Sequence, residues 1–356
     1  MRKRVALGLA LAIGAVVAYF FIRTPPSQGK SSTPRATPSS TVTNVRQALA
    51  ARPAGAAKPK PAANAGDRTI FAANWGGGPD ELGHDRPAEG NPVGPMSLGA
   101  DSRGRLSVLD GVNGRIVRRT PDGKADSSFR IDSRDPQDIA VSSDGTTAVL
   151  DRFSDKAVSV YDDAGKLRGK LPLEGQGISD VGSVTGVFVD GTDIYAEKEH
   201  GPLVKIGTTN GAPVDPRSEI PGRPSRDGLS FLNAGITEAP AGRVWVSSIE
   251  RATNQHRFTR ELQLESYVRM IVLLDSDRAG TIYFAAEVEK TPSDAEILLS
   301  CLDPLTGAPV GGAILPANTL PEESMRDLIV LDGGGVIQAL RTEKGVTYKR
   351  YDCDGN

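Results

Sequence analysis

The chain has 356 residues with 42 basic and 44 acidic side chains, a near balance that gives no electrostatic case for nucleic acid. Its apolar content is 38%, against a usual level of about 45–50%, while glycine and proline number 40 and 25. That composition excludes a large helical core and fits a turn-rich all-β protein joined to a segment that cannot fold.

The first element is a targeting segment. Arg2, Lys3 and Arg4 precede an uninterrupted apolar run from Val5 to Ile22, closed by Arg23. As a helix this run spans about 27 Å, enough to cross a hydrocarbon layer of roughly 30 Å. Val16, Val17 and Ala18 offer small residues to a signal peptidase, but Tyr19, Phe20, Phe21 and Ile22 keep the run apolar behind them. Residues 1–23 therefore read first as an uncleaved signal anchor, a single transmembrane helix in the cell membrane. The alternative is a cleaved signal and a secreted or periplasmic product. In either case the basic flank and the long domain behind it put the C-terminal part outside the cytoplasm.

Residues 24–67 change character sharply. Pro25 and Pro26, the Ser/Thr-rich stretch from Ser31 to Thr43, and the Pro/Ala/Lys stretch from Pro53 to Pro61 cannot bury a core. This is a disordered linker, with the composition for one short helix at Asn44 to Arg52.

From residue 68 to 356 a unit recurs six times: an apolar run, a glycine-containing turn and a second apolar run. The turns fall at Asp101 to Gly104, Ser143 to Gly145, Asp190 to Gly191, Pro240 to Gly242, Asp277 to Gly280 and Asp332 to Gly335. Strand–turn–strand units at a spacing of roughly 40–50 residues are the signature of propeller blades. The last unit holds only three strand candidates, Asp327 to Asp332, Val336 to Leu340 and Val346 to Tyr351, while Thr69 to Ala73 is left over at the start. Pairing the two remnants closes a six-bladed β-propeller and places the N-terminal strand beside Val346 to Tyr351. Blade 4 is the least regular. Its first two strands are read at Gly235 to Glu238 and Arg243 to Ser247, and Arg251 to Ser266 stays open between long strands and a short helix.

One unit carries more than the skeleton. Gly94 to Asp101, the turn to Gly104, Leu106 to Asp110, Asn113-Gly-Arg-Ile116 and Thr120 to Gly123 resemble one NHL repeat, and Pro136 to Gly165 resembles a looser copy. Later units lack the Asn-x-Arg-Ile element. The resemblance implies a six-bladed propeller in which Asp110, Asp151, Asn113 and Arg115 stitch loops within their blades.

The chemistry-bearing residues are sparse. The three histidines, His84, His200 and His256, come with no zinc spacing, no nucleophile elbow and no phosphate loop. The predicted second strands end in Asp110, Asp151, Glu197 and Glu287; were these to meet on the propeller axis they would suit a hard cation such as Ca²⁺, and a metal-dependent hydrolase or lactonase would follow. The leading reading is a binding or scaffold module without catalysis and without a cofactor. Its partner would be an envelope protein, peptide or glycan, met by the loops Asn74 to Asn91, Pro221 to Asn233 and Arg251 to Ser266, with Trp75, Phe231 and Phe258 as candidate aromatic anchors. Cys301 and Cys353 lie in the exported part, where an oxidising compartment permits a bridge between them; two separate thiols are the alternative.

Overall fold

A computed structural model of the chain describes residues 43–44, 68–291 and 293–353. The expected anchor and all of the expected linker except Thr43 and Asn44 lie outside the described residues. Among the described residues no helix is long and apolar enough to cross a membrane.

Six antiparallel sheets form the blades of a propeller, each with an inner, second, third and outer strand. Blade 1 contains Leu98–Ala100, Leu106–Asp110, Arg115–Arg119 and Ala125–Arg130; blade 2 contains Asp138–Val141, Thr147–Asp151, Ala157–Tyr161 and Leu167–Pro172. Blade 3 follows with Val184–Asp190, Asp193–Lys198, Leu203–Thr208 and Glu219–Ile220, and blade 5 with Val268–Ser276, Ile282–Thr291, Asp294–Leu302 and Pro309–Pro316. Blade 6 uses Leu328–Val330, Val336–Thr342 and Gly345–Tyr351, and takes its outer strand, Arg68–Asn74, from the start of the domain.

That closure matches the sequence expectation. Arg68 pairs with Arg350 and Asn74 with Gly345, so both ends of the domain lie in one sheet. Phe71 stacks on Tyr348 with ring centroids 4.2 Å apart. Glycine is required at 345, because a Cβ there would fall inside contact distance of the Ala73 carbonyl oxygen.

Blade 4 corrects the sequence reading. Its inner strand is only Arg223–Pro224, and the turn to the second strand runs from Ser225 to Ser230, where Ser225 N–H donates to Ser230 O and Gly228 N–H to Ser225 O. The turns of blades 1, 2, 5 and 6 carry the same two bonds. The Pro240–Gly242 turn therefore joins the second strand, Ser230–Glu238, to the third, Arg243–Glu250. Prolines at 221 and 224 hid the inner strand, since proline reads as a strand breaker. The open stretch from Arg251 resolves into a turn and one outer strand, His256–Gln263, with no helix. Inside the expected linker, Thr43–Asn44 forms a two-residue strand parallel to Leu262 and Gln263, using the unpaired outer edge of this blade.

Alternating apolar side chains fill the spaces between blades. Five apolar clusters join blades 1 to 2, 2 to 3, 4 to 5, 5 to 6 and 6 to 1. Among the described residues no such cluster joins blades 3 and 4. That seam is polar: Arg251 pairs with Asp190 at 2.6 Å and Arg223 with Glu197 at 2.8 Å.

Cys301, on the third strand of blade 5, is bridged to Cys353 beyond the last strand of blade 6, with Cα atoms 5.9 Å apart. The bridge joins two neighbouring blades and closes a loop of 52 residues, nominally worth about 4 kcal/mol in the chain-entropy account. Cys353→Ser should therefore lower the denaturation midpoint under oxidising conditions, and reductant should lower the wild type to a similar value. A wild-type midpoint indifferent to reductant would show that the bridge contributes nothing.

Candidate functional site

The inner strands surround an axial cavity of about 1260 Å³ with lining residues from all six blades. The turns between inner and second strands gather at one mouth, here the turn face; the starts of the inner strands and the ends of the second strands gather at the other, the loop face.

Ion pairs tie the turn face together. Arg226 of blade 4 reaches Asp275 at 2.7 Å and Asp332 at 3.0 Å, and Arg278 reaches Asp332 at 2.7 Å. Burial would lower the Arg226 pKa, but Asp275 and Asp332 together raise it above its ordinary value. Blades 4, 5 and 6 are thus linked at this mouth.

The loop face is built around Phe188 of blade 3. The guanidinium of Arg223 lies 4.9 Å from its ring centroid and that of Arg326 lies 5.0 Å away. Arg326, just before the inner strand of blade 6, reaches past blade 1 to buried Asp138 of blade 2 at 2.8 Å and donates to Val187 O of blade 3 at 3.0 Å. Asp138 also accepts from Ser97 Oγ at 2.6 Å and from Val187 N–H at 3.0 Å. One carboxylate of blade 2 so gathers groups from three other blades.

Beside this lies Glu197, which accepts from Arg223 at 2.8 Å and from Thr185 Oγ1 at 3.1 Å, with His200 Nδ1 at 3.7 Å. Burial would raise its carboxyl, but the interaction with His200 and the charge and hydrogen bonds of Arg223 hold it at about 2. Arg152 completes this side. It donates to Val184 O at 2.6 Å, stacks over Phe153 at 4.6 Å, keeps a buried Nε with no partner, and has no carboxylate within ion-pair distance among the described residues. Another part of the lining carries apolar side chains, Leu232, Ala234 and Ile236 of blade 4 and Met270 and Ile271 of blade 5, with Ile236 and Met270 40% and 54% exposed.

The four acidic strand ends are not brought together. Glu197 and Glu287 line the cavity, the latter 3.4 Å from Arg269. Asp110 instead accepts from Gly83 N–H at 2.8 Å and Arg115 Nε at 2.7 Å, while Asn113 and Arg115 bind the carbonyls of Gly76 and Gly78, so the triad stitches the 76–83 loop to blade 1. Asp151 accepts from Ser133, Asp135, Ser154 and Asp155 around a loop of blade 2. Among the described residues no three His, Cys, Asp or Glu side chains are grouped to hold a metal ion.

The aromatic anchors fare similarly. Phe231 and Phe258 are buried, because residues expected in loops belong to the second and outer strands of blade 4. Trp75 stacks on His84 at 4.3 Å and donates to Thr342 O at 3.0 Å, packing the entry loop onto blade 6. Sequence reasoning missed Arg152, Phe188, Arg223 and Arg326. Each stands within or next to a strand in no motif, and only the ring brings them together.

No protein-family model matches the chain, and no functionally curated protein matches it. Among solved structures it is similar to hydrazine synthase of Kuenenia stuttgartiensis, at 16% identity and TM-score 0.44 over 72% of this chain and 76% of that one. It is also similar to a streptogramin B lyase, at 13% identity and TM-score 0.41 over 76% and 96%. A third is virginiamycin B lyase of Staphylococcus aureus, at 13% identity and TM-score 0.39 over 73% and 95%. These likenesses assign no activity to this chain.

Two outcomes test the loop-face network. Arg326→Met leaves Asp138 buried without its cation and should cost about 3–5 kcal/mol, read from the denaturation midpoint; an unchanged midpoint would remove Arg326 from the network. Because folding depresses the Glu197 carboxyl, its contribution is complete above the ordinary value of about 4.5 and is lost as pH falls towards about 2. The melting-temperature gap between wild type and Glu197→Gln should therefore close across that window and stay constant above it.

Proposed function

We propose that the chain is a binding module of the cell envelope. The apolar run Val5 to Ile22 tethers it to the membrane, and the propeller works outside the cytoplasm. The loop face of its channel engages a protein, peptide or glycan without catalysis and without a cofactor. We further infer a ring of the NHL type, for which the Asp110–Asn113–Arg115 triad of blade 1 is the support.

The observation carrying the binding reading is the state of the cavity wall. Its carboxylates are largely committed to arginines, and Glu197 at about 2 is too weak a base for proton transfer near neutral pH. What remains for a partner is the cation of Arg152 on one side and the exposed apolar side chains of Ile236 and Met270 on the other, a combination suited to recognition. The Cys301–Cys353 bridge supports an oxidising location.

Site-specific photo-crosslinking in cells tests this reading. A photoreactive side chain at Met270 should capture a discrete partner that the same group at Leu305, exposed on an outer loop of blade 5, does not capture. Equal patterns from both positions, or none from Met270, would overturn it.

A further inference from the structure

A propeller blade leaves the backbone of its second strand unpaired wherever the inner strand stops short. In blade 2 the inner strand begins only at Asp138, and the Gln137 carboxamide oxygen accepts from the N–H of Arg152 at 2.9 Å. In blade 6 Asn318 does the same twice, donating to Ala339 O at 3.0 Å and accepting from Arg341 N–H at 2.8 Å. A side-chain amide here substitutes for the missing peptide group.

Blade 4 has the shortest inner strand of the ring. Arg223 and Pro224 pair only with Leu232 and Phe231, and Gly222 packs against Leu232 and Asn233. Beyond that point the second strand continues to Glu238. Ser225 N–H bonds Ser230 O, and alternation along an antiparallel ladder then directs the N–H and C=O groups of Ala234 and Ile236 to the inner side. No carboxamide or backbone group covers them among the described residues. Both residues line the axial cavity, so the open edge faces the channel.

We propose that this edge is a peptide-binding site in which an extended segment of a partner adds to blade 4 as its missing inner strand. The inference rests on the binding reading above and names its partner class. Backbone groups of Ala234 and Ile236 supply the pairing, and a stretch of five residues spans about 17 Å. The flanking walls set the side chains: Ile236 and Met270 take an apolar residue, and Arg152, charged and without a carboxylate of its own, takes an acidic one.

The test uses the full chain and a displayed library of linear nonapeptides. Enriched sequences should combine apolar residues at alternate positions with Asp or Glu, and the bound peptide should slow amide exchange at residues 234–238. Methylating alternate backbone nitrogens of that peptide should weaken binding by at least about tenfold, because only strand pairing needs those donors. Ile236→Pro removes one inward N–H and should weaken binding similarly, with circular dichroism reporting whether the blade survives. The N-methylated peptide leaves the protein untouched and decides the matter if that variant misfolds. No enrichment, undiminished binding of the N-methylated peptide, or protection elsewhere overturns the proposal. If Met270 crosslinks persist in such a case, the peptide mode alone has failed; if they are absent too, the binding reading fails with it.

Discussion

Arg223 holds the ring together where its apolar core gives out. Five seams between blades are filled by buried Leu, Ile, Val and Phe, and each resists opening through the area it removes from water. The seam between blades 3 and 4 has no such cluster among the described residues. There Arg223 pairs its backbone with Leu232 of its own blade, its guanidinium with Glu197 and the Phe188 face of blade 3, and donates to Leu274 O of blade 5 at 3.3 Å. A charge-assisted contact of this kind depends on geometry and ties three blades together. This one side chain is anchored in three directions, and Arg251 with Asp190 closes the rest of the seam.

The same region explains the asymmetry of the channel. Where blades 2 and 3 meet the axis, charged groups neutralise one another around Asp138 and Glu197, leaving Arg152 in excess. Where blade 4 should present an inner strand, its second strand is exposed instead, with blade 5 supplying Met270 beside it. A polar, cationic stretch and an apolar stretch thus line a single space.

Much of the fold was legible because its determinants are local. Period-two apolar strands and glycine turns repeat within each unit, and the surplus strand Thr69 to Ala73 could be matched to the deficit after Val346 by counting alone. Blade 4 was misread by one strand, because Pro221 and Pro224 mask an inner strand only two residues long and the Pro240–Gly242 turn imitates the expected signal. The site was far less legible. Asp110 and Asp151 end their second strands, whereas Glu197 lies one residue and Glu287 four residues inside theirs; the first two turn to loop N–H groups and the last two line the cavity, which residue type alone does not tell apart. Arg326 and Asp138 are distant in sequence, so their contact exists only once the ring is formed.

The closure of blade 6 bears on how the protein comes into being. Arg68–Asn74 is the first strand of the ring to leave the ribosome, and Gly345–Tyr351, its partner, is the last. Throughout synthesis the nascent domain is an open arc with a raw strand at its leading end, and every blade made in the interval adds to the arc without removing that edge. Pairing between such distant segments is slow to form, and until it does the half-made ring keeps an open edge. The N-terminal strand has polar residues at both ends, one of them charged, and such ends disfavour pairing with copies of itself.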